Sequence, residues 1–140
     1  MAIVIKGGYL LDAERPFAVG DVVIEGDEIV EVGESAERAG ATILDARGKI
    51  VMPGLVNAHT HSNQAIEKGL CDRLPLDSWM ILASYGGAGT RLEPRDLYIS
   101  AMLGAIEMLS TGTTSVIDCM RTDIAWFDEG MDAVMQAYSD

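Results

Sequence analysis

Val51-Met52-Pro53-Gly54-Leu55-Val56-Asn57-Ala58-His59-Thr60-His61 joins an apolar run to two histidines two residues apart. The run has no helical period, so Gly54 to Ala58 is expected to be a buried strand with the pair at its end. Side chains alternate faces along a strand, so His59 and His61 point to one side, roughly 6–7 Å apart at the backbone. They are the only histidines in the 140 residues. Two imidazoles converging in this way suit two ligands of one metal ion, each about 2.0–2.1 Å from it. A lone histidine at a strand end is ordinarily a hydrogen-bonded surface or core residue. The paired spacing after Pro53-Gly54 favours the metal.

Upstream, short β-type runs alternate with turns. Ile3-Val4-Ile5 reads as a strand closed by Gly7-Gly8. Asp21 to Glu25 and Glu28 to Val32 flank Gly26-Asp27, a two-residue hairpin signal. Thr42-Ile43-Leu44 ends at Asp45, and Arg47-Gly48 turns into Lys49-Ile50-Val51. Such a β unit is too small to bury much by itself.

Downstream the pattern becomes strand, helix, strand, helix. Residues 62–92 form a long irregular stretch with a short helix expected around Leu76 to Leu82, and loops of that length are usually functional. Pro94 suits a first helical turn. Leu97, Ala101, Gly104, Ala105 and Met108 follow helical spacing, and Gly112 is placed to end the helix. Thr113 to Ile117 is a β-branched strand ending at Asp118, and a second helix is expected from about Asp128. Strand, crossover helix, strand is the opening of a parallel α/β structure. A closed eight-stranded barrel takes about 250 residues, so the chain reads as the front of a longer protein.

Composition narrows the function. Hydrophobic residues make up 49% and charged residues 23%, as in a globular protein. The net charge of −12 argues against nucleic acid or an anionic membrane as partner. Cys71 and Cys119 form no CxxC pair, which disfavours a cysteine zinc site and suits reduced thiols in a cytoplasmic protein. No signal-peptide pattern opens the chain and no stretch of 18 apolar residues occurs. Tyr85-Gly86-Gly87-Ala88-Gly89 lacks the following Gly-Lys-Ser/Thr of a phosphate loop.

With these residues in view, the chain resembles the N-terminal part of the amidohydrolase superfamily, in the branch of cytosine, guanine and adenosine-type deaminases and triazine hydrolases. The resemblance extends over essentially all 140 residues. Its specific mark is Pro53 to His61. Weaker marks are Leu74-Pro75-Leu76-Asp77-Ser78-Trp79-Met80 and Ser110-Thr111-Gly112-Thr113-Thr114. It implies an α/β fold: residues 1–52 as the N-terminal portion of a small β-sandwich, and residues 53–140 as the first βαβα portion of a (β/α)8 TIM-like barrel. The histidines then fall at the C-terminal mouth of the barrel, where such enzymes place their chemistry.

The resemblance also implies a function. His59 and His61 would bind a divalent metal, zinc or iron, which generates hydroxide near neutral pH. Hydroxide displaces an amino or other leaving group from a cyclic amidine or N-heterocycle, so non-peptide C–N bonds are hydrolysed. The remaining ligands and the proton shuttle come from later strands, so no catalytic acid or base is assigned within this chain. Trp79 and Gln64 are the substrate-binding candidates: Trp79 stacks on a heterocycle or simply packs beside Met80 and Ile81, and Gln64 orients the substrate or is a solvated loop residue. Asp118 either supports a ligand by a hydrogen bond or caps a turn. Adenosine-type relatives carry a carboxylate shortly after the Trp for ribose hydroxyls, whereas residues 80–92 here hold no Asp or Glu. That lowers the expectation of a nucleoside substrate. The complete protein is expected to be a homo-oligomer, and the 140 residues alone to be inactive and prone to associate. The competing reading is a noncatalytic or decayed barrel fragment serving as a structural or interaction module.

Overall fold

The computed structural model describes residues 1–12, 15–85 and 92–140. Its contacts divide the chain into two compact units, Met1–Pro53 and Gly54–Asp140.

The first unit is one mixed sheet. Strand β1 (Ala2–Asp12) pairs antiparallel with β2 (Arg15–Glu25), which pairs antiparallel with β3 (Glu28–Gly33). On its other side β1 takes up two short parallel strands, β4 (Thr42–Asp45) and β5 (Ile50–Val51). The hairpin at Gly26-Asp27 is as expected, with Glu25 opposite Glu28. The end of β1 is not. The strand does not stop at Gly7-Gly8 but runs on to Asp12 through a shift in register between Ile5 and Gly8. Gly7 takes a left-handed backbone angle, φ +69°, and donates its N–H to Asp21 Oδ1 at 2.8 Å instead of to the neighbouring strand. A glycine bulge, rather than a terminating turn, explains the pair.

Asp21 is the polar centre of this unit. Its carboxylate is 4% exposed and also accepts from Lys6 Nζ and the Ala36 amide, each at 2.8 Å. Burial pushes this carboxyl up, but the Lys6 side chain and the Ala36 and Gly7 amides together hold it below the usual carboxylate range. Val4, Val23 and Ala36 form the small core beside it.

The second unit is built on a parallel pair. Strand β6 (Leu55–Thr60) and β7 (Thr113–Asp118) lie side by side, Leu55 opposite Thr113 and Thr60 opposite Asp118. Between them come a 3₁₀ turn (Ser62–Glu67), helix α1 (Leu76–Trp79) with a π-helical turn (Met80–Tyr85), and the crossover helix α2 (Pro94–Ser110). Residues 86–91, which include most of the glycine-rich stretch read above, lie outside the described residues. Pro94 opens α2, and Glu93 and Asp96 form a reciprocal capping box around its first turn. Helix α3 (Phe127–Ser139) follows, entered through a 3₁₀ turn (Ile124–Trp126). Leu97 and Ala101 of α2 pack on Val134 and Ala137 of α3, all at most 3% exposed. By contrast Leu55, Val56 and Ile117 on the strands, and Ile106 and Leu109 on α2, remain exposed.

Two features of this architecture are open to test. Replacing Asp21 by Asn leaves Lys6 and two amides without their anion. It should lower stability by about 2–4 kcal/mol in urea denaturation at neutral pH. The same contribution should be present above the ordinary Asp value of 3.8 and disappear as pH falls below it, because the folded carboxyl is the stronger acid. An acid limb unchanged by the substitution would contradict this. Gly54 lies where a Cβ would meet Thr114 Oγ1 at 2.0 Å. Gly54→Ala should therefore cost about 1–3 kcal/mol through overpacking. Adding Thr114→Ala should recover most of it in the same measurement.

Candidate functional site

The histidines sit where β6 ends. His59 lies in the strand and His61 one residue beyond its last residue, Thr60. Their rings approach edge to face with centroids 4.8 Å apart. Two imidazoles bound tetrahedrally to one ion at about 2.0–2.1 Å have centroids about 5 Å apart, so the observed separation fits shared ligation.

The hydrogen bonding of His61 fits it too. Its Nδ1 is 2.7 Å from the carbonyl oxygen of Cys119. A carbonyl only accepts, so Nδ1 is the donor in this contact and Nε2 is the ring nitrogen turned away from it. A backbone carbonyl on the far nitrogen is the usual way a ligating histidine is oriented. His59 Nδ1 lies 3.5 Å from the Cys119 thiol, a longer and weaker contact. Among the described residues no group of three or more His, Cys, Asp and Glu is arranged to hold a metal. The described residues thus place two imidazoles side by side at the end of β6.

Hydrogen bonds tie the chain around His61 to the end of β7. The Cys119 amide donates to the Thr60 carbonyl at 2.8 Å. The Ser62 amide donates to Asp118 Oδ1 at 3.0 Å, and the Arg121 amide to Asn63 Oδ1 at 3.2 Å. The other Asp118 oxygen accepts from the Tyr138 hydroxyl of α3 at 2.9 Å. Burial and this hydrogen bond push the Tyr138 phenol up to about 12, so it remains a donor throughout the neutral range. From the α2 side, the buried Ser100 hydroxyl donates to the Ser62 carbonyl at 2.6 Å and accepts from the Ile66 amide at 3.1 Å.

Trp79 and Gln64 come together elsewhere. Both line a cleft of about 480 Å³ with Glu67, Lys68, Leu70 and Cys71, and neither histidine is part of its lining. Burial pushes the Glu67 carboxyl up, partly offset by the charge of Arg121. Among the described residues, His59 lies beside His61 and Gln64 shares a cleft with Trp79. Asp118 accepts hydrogen bonds from the Ser62 amide of a turn and from Tyr138 of helix α3, which is the capping use of its carboxylate. Ser100, Asn63 and Tyr138 were not singled out from the sequence. Only Ser100 left a trace there, as a small polar residue inside the apolar face of α2.

Similarity to known proteins bears on the fold and the family. The model of the amidohydrolase family matches residues 50–140. A 5-methylthioadenosine/S-adenosylhomocysteine deaminase of Thermococcus onnurineus is 40% identical over 119 residues, covering 84% of this chain and 28% of that protein. A 5'-deoxyadenosine deaminase of Methanosarcina acetivorans is 37% identical over 119 residues, covering 83% and 27%. Among solved structures, the atrazine chlorohydrolase of Arthrobacter aurescens TC1 complexed with zinc superimposes with a TM-score of 0.79 at 25% identity, over 99% of this chain and 33% of that one. A triazine hydrolase variant gives 0.82 over the same shares. The chain thus spans 27–28% of the length of these deaminases and 33% of that of the solved structures. The fold is that of an incomplete (β/α)8-type α/β protein that begins with part of a small β-sandwich. With the histidine-bearing strand inside the matched segment, the chain belongs to the amidohydrolase family, as the N-terminal part of such a protein.

Proposed function

We propose that this chain is the leading part of a metal-dependent hydrolase that displaces an amino group from a ring carbon of a cyclic amidine or N-heterocycle. The carrying observation is the His59–His61 pair, edge to face at 4.8 Å, with Nε2 of His61 left free by the Cys119 carbonyl. Zinc is the first choice of metal, since imidazole nitrogens suit it and a zinc-complexed relative shares this fold. A divalent ion, when bound, supplies Lewis acidity and acidifies water near neutral pH.

The chain's own residues do the following. His59 and His61 would hold the ion through their ring nitrogens. The Cys119 carbonyl keeps the His61 proton on Nδ1, away from the ligating side. Gln64 both donates and accepts, so its amide orients a ring that carries alternating nitrogens and amino groups. Trp79, half-buried on the same cleft, offers a flat apolar face to such a ring. The proton transfers belong to residues outside this chain, so residues 1–140 alone should not turn over substrate.

The relatives named above act, by their names, on adenosine derivatives, which makes hydrolytic deamination of an aminopurine the first reaction to test. The absence of Asp and Glu from residues 80–92 points to recognition of the ring more than of ribose hydroxyls. A second reading, displacement on a triazine ring, is favoured by the triazine hydrolases among the superimposed structures.

Metal content of the full-length protein, compared with a His59→Ala/His61→Ala double variant, tests the site. The wild type should carry a divalent ion and the variant should have lost most of it. Equal content would sink the proposal. Ammonia release from adenine, methylthioadenosine and an aminotriazine tests the reaction. Turnover of at least one by the full-length protein and of none by residues 1–140 is expected. Silence of the metal-loaded full-length protein on all three, with intact folding, would favour the noncatalytic module.

A further inference from the structure

We infer that Tyr138 and Asp118 are positioning residues that set the aim and tautomer of His61 from the far side of the fold. The inference rests on the reading of His61 as a metal ligand and adds the device that holds it in that state.

The geometry is a relay from helix α3 to the imidazole. His61 lies outside β6, so no strand ladder fixes it. It is instead pinned on both flanks. On one side the Thr60 carbonyl accepts from the Cys119 amide, and on the other the Ser62 amide donates to Asp118 Oδ1. Asp118 and Cys119 are adjacent, so the carboxylate that holds the backbone after His61 also fixes the peptide unit leading to the Cys119 carbonyl. That carbonyl receives the ring proton at 2.7 Å. Asp118 is itself oriented by its second oxygen, which accepts from the Tyr138 hydroxyl at 2.9 Å. Tyr138 is half-buried next to Ala137 and packs against the α2–α3 core.

A free neutral imidazole favours its proton on Nε2, the nitrogen that must be bare to ligate here. The Cys119 carbonyl reverses that preference only while it stays on line with Nδ1. Losing the Tyr138 hydroxyl lets the Asp118 carboxylate swing, slackens the Ser62 amide and moves the carbonyl off line. Outer contacts of this kind change metal affinity by about 10–100-fold.

Tyr98 provides a matched control. It also lies against the α2–α3 core, and its hydroxyl donates to Asp140 at 2.9 Å rather than to a strand end. The test compares wild type, Tyr138→Phe and Tyr98→Phe in the full-length protein. Zinc dissociation constants come from chelator competition. The His61 tautomer in metal-free protein comes from ring 15N shifts. Tyr138→Phe should weaken zinc by about tenfold or more and raise the Nε2–H population, with a melting temperature matching that of Tyr98→Phe. Tyr98→Phe should change neither site readout. Equal behaviour of the two variants in both readouts would overturn the inference. Asp118→Ala should reproduce the tautomer change. If it does not fold, Tyr138→Phe decides alone. Zinc binding that survives His59→Ala/His61→Ala would instead defeat the metal reading, while the tautomer measurement would still decide the positioning role.

Discussion

The parallel pairing of β6 with β7 sets Thr60 level with Asp118, and everything around the histidines follows from that level. Parallel neighbours cannot be joined by a tight turn, so the chain must cross over through α2. The crossover carries Ser100 to the Ser62 carbonyl and presents the α2 face on which α3 packs. Helix α3 in turn brings Tyr138 to Asp118. A slip of one residue in the strand register would turn each side chain to the opposite face and separate these partners. Gly54 guards the register at the other end, where Thr114 fills the space a side chain would need.

The site is an economical use of backbone groups. Much of its order comes from peptide N–H and C=O groups at two strand ends, not from a cluster of charged side chains. One carboxylate, Asp118, serves both a turn amide and a helix phenol. The histidines stay exposed among these supports, open to residues supplied by the rest of a barrel. The same incompleteness is visible in apolar side chains such as Val56, Ile117 and Leu109, whose exposure marks faces that a closed barrel covers. In the other unit Asp21 plays a comparable part, one buried carboxylate binding a bulge, a lysine and a loop amide.

Much of this was legible in the chain itself. The Gly26-Asp27 hairpin and the helix opened by Pro94 and stopped before Gly112 were read correctly, because each is encoded within a few residues. Gly7-Gly8 misled, because a glycine pair marks a bulge as readily as a turn and only the Asp21 partner distinguishes them. The histidine pair was expected at the end of a buried strand; His59 lies within the strand and His61 just past it, since the ladder ends at Thr60, and Leu55 and Val56 are exposed.

Sequence by itself determined the order of elements, the family and the identity of the convergent pair, because alternation and turn chemistry are local. Only the tertiary structure decided which nitrogen of His61 meets the Cys119 carbonyl, that Gln64 and Trp79 line one cleft, and that Tyr138 supports Asp118. The physical reason is separation along the chain. His61 and Cys119 are 58 residues apart and Ser62 and Asp118 are 56 apart. No local period records contacts that exist only once two strand ends and two helices have packed together.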